Sequence, residues 1–271
     1  MRGSERLAVP VNPLPPMPER DRAALAGLLL AAGLEVFGDG LVTAILKGSA
    51  VKGDFVPGYS DFDMHLFLRS SVVPMVDGRT PALDRALAFQ AAMGGLDPEA
   101  FGVSTIQVYF LDGPNYPSDR TPPIPGTYEL VYGSLPPDLP QPQPDEIVTK
   151  ARSFFPWARR EAQAFIGRIA DKPDSRLASY VRLFGTSVKP AVYHAAILRG
   201  EPPLEVWRRS VADVLPVVDP WCPSGSLDAF FAGVWRWSEV RHDPARLRAL
   251  FRSGYCGLME ICDHAAALAG A

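Results

Sequence analysis

The stretch from Lys47 to Leu68 decides the fold, and it reads KGSAVKGDFVPGYSDFDMHLFL. Near its end lie two carboxylates separated by a single residue, Asp61 and Asp63, and mostly apolar residues follow them as far as Leu68. Residues two apart in a β-strand point to the same face, so both carboxylates are expected to face the same way. Two carboxylates so placed repel each other unless a cation lies between them. Mg²⁺ prefers carboxylate oxygens together with substrate phosphates and water, so the pair predicts a magnesium site.

The start of the same stretch is a glycine–serine turn at Gly48 and Ser49, directly after an aliphatic run from Leu41 to Leu46. A glycine lets a phosphate approach the backbone closely, and the serine adds a hydroxyl and an amide donor. The two halves of the stretch therefore predict a metal and a triphosphate at one edge of a sheet. The simpler alternative is that both are ordinary turn and edge-strand residues with no ligand.

Hydrophobic periodicity predicts helices and strands in the first half of the chain and helices alone in the second. The segments are a helix ended by Gly38, strands at Leu41–Leu46 and Phe62–Leu68, a helix from a Thr80–Pro81 cap to Met93, strands at Val103–Leu111 and Tyr128–Tyr132, then helices at Asp145–Ile169, Ser175–Leu198, Leu204–Leu215, from Ser226 and from Asp243. This order predicts an α+β fold. A mixed β-sheet domain with flanking helices is expected over 1–144, followed by an all-α helical bundle over 145–271.

The strand at Ser104–Phe110 alternates between polar and apolar residues. Ile106, Val108 and Phe110 share one face, which predicts burial, whereas Thr105, Gln107 and Tyr109 share the other. If this strand pairs beside the Asp61–Asp63 strand, Gln107 points to the same side as the two carboxylates.

The glycine–serine turn, the spacer and the Asp61-Phe62-Asp63 strand together resemble the signature of the nucleotidyltransferase superfamily, the polymerase-β-like fold. The specific motif covers Gly48 to Leu68. The organisation of nearly the whole chain is similar to that of aminoglycoside adenylyltransferases, which join such a domain to a C-terminal helical bundle. The resemblance implies that Asp61 and Asp63 are catalytic and bind Mg²⁺, that Gly48 and Ser49 hold a phosphate of ATP, and that Ser60 touches the nucleotide. The alternative role for Ser60 is a cap on the loop that precedes Asp61. It implies transfer of AMP from ATP to a hydroxyl of a small-molecule acceptor such as an aminoglycoside-like antibiotic.

One position departs from the family pattern, which usually has a third carboxylate on a later strand. The matching residue is Gln107, which can hydrogen-bond a substrate but is a poor base and a weak magnesium ligand. Asp112 follows the strand with a register one residue off. Gln107 therefore leaves open a non-catalytic nucleotide-binding or regulatory protein with a degenerate site. A further alternative is the nucleotidyltransferase of a toxin–antitoxin system, which would modify a protein instead of a small molecule.

Three lysines and one histidine are further candidates for contacts with the phosphates or the metal. Lys189, in an apolar helical stretch beside Pro190, is expected either to reach the triphosphate or to lie at the surface. Lys47 and Lys52 flank the turn and are either phosphate contacts or solvated lysines. His65 shares the face of the carboxylates and abuts the metal or simply fills the strand.

The composition of the chain limits the classes of partner and the cellular location that are expected. The 271 residues carry a formal net charge of −3, and duplex binding needs a dense basic surface, so long nucleic acids are not expected. Three scattered cysteines fit a cytoplasmic protein without a disulfide framework. The apolar run Ala23–Phe37 is short for a bilayer and is expected to be a core helix rather than a membrane segment. A monomer or a homodimer fits these features equally well.

Overall fold

The computed structural model describes residues 14–76 and 80–269, which form two compact units, 14–142 and 143–269. The first thirteen residues of the predicted N-terminal domain lie outside the described residues. The fold is α+β, with a small mixed sheet in the first unit and a helical second unit. The described chain passes from the first unit to the second between Pro142 and Gln143.

The first unit is built on a four-stranded mixed sheet with the order β5-β2-β1-β6. Its elements are α1 (Glu19–Phe37), β1 (Leu41–Lys47), α2 (Ser49–Lys52), β2 (Asp61–Leu68), a short ribbon of β3 (Met75–Val76) and β4 (Thr80–Pro81), α3 (Leu83–Met93), β5 (Thr105–Asp112) and β6 (Tyr128–Gly133). β1 pairs antiparallel with both β2 and β6, whereas β2 and β5 run parallel. The central strands β1 and β2 are thus joined through the glycine–serine turn.

One face of the sheet is covered by helices. The even residues of β2, Phe62, Met64 and Leu66, are buried in a cluster with Leu25 and Leu29 of α1. Phe89 of α3 and Phe110 of β5 join the same core through ring contacts. Glu19–Gly40 is also the one described helical segment long and apolar enough to cross a membrane by length and composition. Its inner face packs in this core.

The opposite face changes character along the strands. Towards the end of β2, Ile45, Phe67, Leu111 and Leu139 form a second, smaller apolar cluster. Tyr116, from the loop after β5, packs against it. At the start of β2 the same face carries polar and charged side chains. Strand alternation leaves these side chains on the side away from α1.

The second unit consists of helices throughout its described residues. They are α4 (Pro144–Ala170), α5 (Asp174–Leu198), α6 (Pro203–Arg208), α7 (Val211–Val218), α8 (Ser226–Trp235), α9 (Trp237–Val240) and α10 (Pro244–Ala269). α5 packs against α4 and α10 through aromatic residues, with Phe184 between Phe165 and Phe251. Asp243 accepts hydrogen bonds from the first free N–H groups of α10, as expected for the predicted start at Asp243 and Pro244.

Three predicted boundaries were wrong. Thr80 and Pro81 do not open a helix: they pair with Met75 and Val76 as β4, and α3 begins at Leu83. The helix predicted at Leu204–Leu215 is broken into α6 and α7, because the side chain of Ser210 caps a new helix. α5 begins at Asp174 after Pro173, not at a Ser175 cap.

Candidate active site

Asp61, Asp63 and Gln107 lie side by side on the polar face. In the parallel β2–β5 pair, Asp63 stands opposite Gln107 and Asp61 opposite Thr105. Phe62 between the two carboxylates is fully buried on the helix-covered side, whereas both aspartates are half-buried. The pairing and the facing expected from strand alternation are therefore present.

Gln107 makes a fixed contact with Asp61. Its Nε2 donates to Asp61 Oδ2 at 3.0 Å, and its Oε1 accepts from the hydroxyl of Tyr109 at 2.5 Å. These two bonds set the orientation of the amide, because a flipped amide would place its oxygen against a carboxylate oxygen. Gln107 thus presents a donor, not an acceptor, to the carboxylate.

The other oxygen of Asp61 faces Ser104, whose Oγ lies 2.9 Å from Asp61 Oδ1. The Ser104 hydroxyl also lies within hydrogen-bond distance of the carbonyl oxygens of Tyr59 and Ser60, so three acceptors compete for its one proton.

Gly48 is held in a conformation that only glycine adopts easily, with φ at 73°. A Cβ added there would lie 2.6 Å from Oδ2 of Asp63. The Asp63 carboxylate therefore lies beside the Gly48 backbone, where the sequence predicts that a phosphate approaches. The missing side chain lets the turn and the carboxylate come together, and Ser49 follows as the first residue of α2.

Two cations accompany the carboxylates. Lys47 is the cross-strand partner of Asp63, and burial lowers the pKa of Lys47 to about 8 although Asp63 favours its charged form. Arg120 reaches in from the loop after β5, with its guanidinium carbon 4.4 Å from the ring centre of Tyr109. Burial raises the pKa of Tyr109, and the negative charge of Asp63 raises it further.

His65 follows the carboxylates on the same face, as predicted. It is 6% exposed and meets Tyr109 edge-on, with 5.0 Å between ring centres. Its Nδ1 is buried and makes no hydrogen bond within the described residues. Burial holds the pKa of His65 well below its usual value, and the charges of Lys47 and Arg120 act in the same direction. The imidazole is therefore neutral at physiological pH.

Ser60 serves the loop. Its hydroxyl accepts a hydrogen bond from the backbone N–H of Val56 at 3.0 Å, and the residue is 6% exposed. Of the two predicted roles, the structure shows the cap on the loop, and a contact of Ser60 with the nucleotide stays a prediction.

Asp112 is not an alternative third carboxylate. It stands opposite Leu68 at the far end of β5, about 16 Å beyond Gln107 along the strand. It is buried and points to the opposite face of the strand from Gln107. The side-chain amide of Asn115 donates to it at 2.5 Å. The register therefore leaves Gln107 as the residue beside the aspartates.

Lys189 belongs to the other unit. It is half-buried in the middle of α5, one residue before Pro190. Its contact with a triphosphate stays a prediction.

The two carboxylates fit one divalent cation whose remaining ligands come from a phosphate and water. Among residues 14–76 and 80–269, no three His, Cys, Asp or Glu side chains come close enough to hold a metal alone. Asp61 and Asp63 are two carboxylates on one face, and Mg²⁺ commonly takes one or two carboxylates with phosphates and water. The amide orientation of Gln107 adds no oxygen to this set.

Sequence reasoning missed Arg120, Ser104 and the pairing of Lys47 with Asp63. Lys47 was visible as a flanking lysine, and the antiparallel register of β1 and β2 makes it the neighbour of Asp63. Arg120 gave no signal, because its position depends on the course of a proline-rich loop.

Comparison with known proteins identifies no relative: no protein-family model matches the chain, and no curated protein matches it.

Proposed function

We propose that the chain is a magnesium-dependent nucleotidyltransferase that transfers a nucleoside monophosphate, AMP from ATP, to a hydroxyl of a small molecule. The observation that carries the proposal is the placement of Asp61 and Asp63 on one sheet face, with the carboxylate of Asp63 directly against Gly48. This is the arrangement that the motif's resemblance to nucleotidyltransferases implies.

In this proposal Asp61 and Asp63 hold the metal, and the backbone and hydroxyl of Ser49 contact a phosphate. Bound magnesium would align the α-phosphate and neutralise the charge that develops on the departing pyrophosphate. The acceptor oxygen bonds to the α-phosphorus, the bond from that phosphorus to the β-phosphate oxygen breaks, and the acceptor proton passes to water. Gln107 takes no proton: it keeps Asp61 turned towards the shared face.

A specific observation favours a second candidate, a nucleotide-binding protein without turnover. Gln107 stands where the family usually has the third carboxylate, and its amide donates to Asp61. General-base assistance is typically worth about 10²–10⁴-fold in rate, so a site without it is slow or silent.

Two measurements on the full chain distinguish the transferase from the nucleotide-binding protein without turnover. The first is calorimetric binding of a non-hydrolysable ATP analogue with and without Mg²⁺, using Asp61→Asn and Asp63→Asn as variants. The second is pyrophosphate release from each of the four nucleoside triphosphates with a panel of hydroxyl acceptors. Magnesium-dependent binding with release supports the transferase. Binding without release selects the second candidate, and no binding overturns both.

A further inference from the structure

The polar face of the sheet carries a basic half as well as an acidic one. Lys47 stands opposite Asp63, and Arg120 lies over the ring of Tyr109, which stands opposite His65, two residues further along β2. The charge of Arg120 lowers the pKa of Lys47, and both cations lower the pKa of the neutral His65. Two cations, each half-buried, are thus held close together beside the carboxylates.

Both aspartates make contacts with side chains of the polar face. The hydroxyl of Ser104 and the amide of Gln107 lie 2.9 and 3.0 Å from the two carboxylate oxygens of Asp61. Asp63 is the carboxylate that supports the charge of Lys47. If a cation takes Asp63 as a ligand, Lys47 loses part of its compensation, and an anion is needed in its place.

Resting on the proposed function, we propose that Lys47 and Arg120 form a polyphosphate-binding subsite that holds the phosphate tail of a nucleoside triphosphate, with or without a divalent cation. The planar guanidinium of Arg120 suits two phosphate oxygens at once, and the ammonium of Lys47 supplies a point charge. The stacking of Arg120 on Tyr109 orients the guanidinium before any ligand arrives. Occupation of the subsite by phosphate frees Asp63 to serve the metal.

The probe for this subsite is inorganic tripolyphosphate in EDTA, measured by calorimetry on the full chain. The wild type is expected to bind it, and Arg120→Gln to bind about tenfold or more weakly, because one charge-assisted pair is lost. Arg120→Lys keeps the charge without the planar fork and falls between them. Arg69→Gln is the matched control, since Arg69 is an exposed arginine directly after the far end of β2.

Asp63→Asn gives a readout in the opposite direction. It removes the internal anion that competes for Lys47, so metal-free tripolyphosphate binding is expected to tighten several-fold while Mn²⁺ binding weakens. A general loss of structure would weaken both ligands together. Circular dichroism of each variant confirms that the fold is retained.

The outcomes also separate this inference from the proposed function. If the wild type ignores tripolyphosphate, or if Arg120→Gln behaves like Arg69→Gln, the subsite is wrong even where Mg-ATP binds. If Asp63→Asn weakens tripolyphosphate binding, the competition between Asp63 and the phosphate tail is wrong. If the subsite behaves as expected but no nucleoside triphosphate yields pyrophosphate, the transferase is wrong and the subsite stands.

Discussion

Gln107 donates from Nε2 to Oδ2 of Asp61 at 3.0 Å, so the amide and the carboxylate form a hydrogen-bonded pair on the polar face. Gln107→Glu replaces this donor with a second negative charge. Loss of a hydrogen bond to a charged group costs about 1.5–3 kcal/mol, and repulsion between the two carboxylates adds to it. We expect the variant to unfold more easily than the wild type in EDTA.

A divalent cation should reverse that effect, because the added carboxylate can share a metal with Asp61. Unfolding free energies in EDTA and in Mg²⁺, together with Mn²⁺ affinity, measure the change. Gln107→Leu is the control: it loses the donor without gaining a ligand, so the metal should not restore it. Equal Mg²⁺ responses in the two variants would show that position 107 does not face the metal site.

The facing of Asp61, Asp63 and Gln107 was predictable because strand alternation has a period of two and the apolar set Ile106, Val108 and Phe110 fixes which face is buried. These features are local, and a single sequence contains them.

Other features depend on contacts distant in sequence. Thr80 and Pro81 carry the local pattern of a helix start, yet pairing with Met75 and Val76 places them in a ribbon. Arg120 reaches Tyr109 only because of the path of the loop after β5. No periodicity constrains such a loop, so its contribution to the candidate site was not predictable.

The stability of Asp63→Asn tests the charge balance of the site. The two carboxylates alone predict a strained pair and a more stable variant. The structure favours the opposite outcome, because Asp63 supports the charge of its half-buried cross-strand partner Lys47. We expect a loss of about 1 kcal/mol in the unfolding free energy at pH 7, since the pair is partly buried. Asp84→Asn, at an exposed aspartate of α3, is the control. A gain in stability for Asp63→Asn would restore the strained-pair interpretation.

Gly48→Ala should show why the turn needs glycine. The positive φ costs about 1–3 kcal/mol for any other residue, and the new Cβ meets Asp63 Oδ2 at 2.6 Å. Gly38→Ala is the matched control, because Gly38 has a similar backbone conformation, with φ at 52° and ψ at −131°, but nothing lies within 4 Å of its added Cβ. The excess cost at Gly48 should disappear in an Asp63→Ala background, as a double-mutant cycle measures. An excess that persists without the carboxylate would contradict the steric explanation.

Ser60→Ala separates a loop cap from a nucleotide contact. The backbone N–H of Val56 loses its acceptor in a buried position, which costs about 1–3 kcal/mol. Affinity for the ATP analogue with Mg²⁺ should change less than about twofold in a site that retains its fold. Ser71→Ala, at an exposed serine after β2, is the control for stability. A large loss of affinity at unchanged stability would return Ser60 to the nucleotide site.

His194 makes the stability of the helical unit depend on pH. Its ring lies between Phe154 and Trp207, at 4.5 and 5.5 Å between ring centres, and its Nδ1 is buried without a hydrogen bond within the described residues. Burial lowers the pKa of His194 to about 4 from 6.5. Between these values the unfolded chain binds a proton that the folded chain does not, so the unfolding free energy rises with pH.

Acidification from pH 6.5 to pH 4 should therefore remove up to about 3 kcal/mol of stability through this residue, with a slope of about 1 kcal/mol per pH unit. His194→Gln cannot take up the proton and should lose this slope, whatever its stability at pH 7. Tryptophan fluorescence is a suitable probe, because all 5 tryptophans of the chain lie in the helical unit, whereas the buried His65 lies in the other. His242→Gln, at an exposed histidine, keeps the wild-type slope. Parallel pH profiles for the wild type and His194→Gln would show that protonation of His194 is not coupled to unfolding.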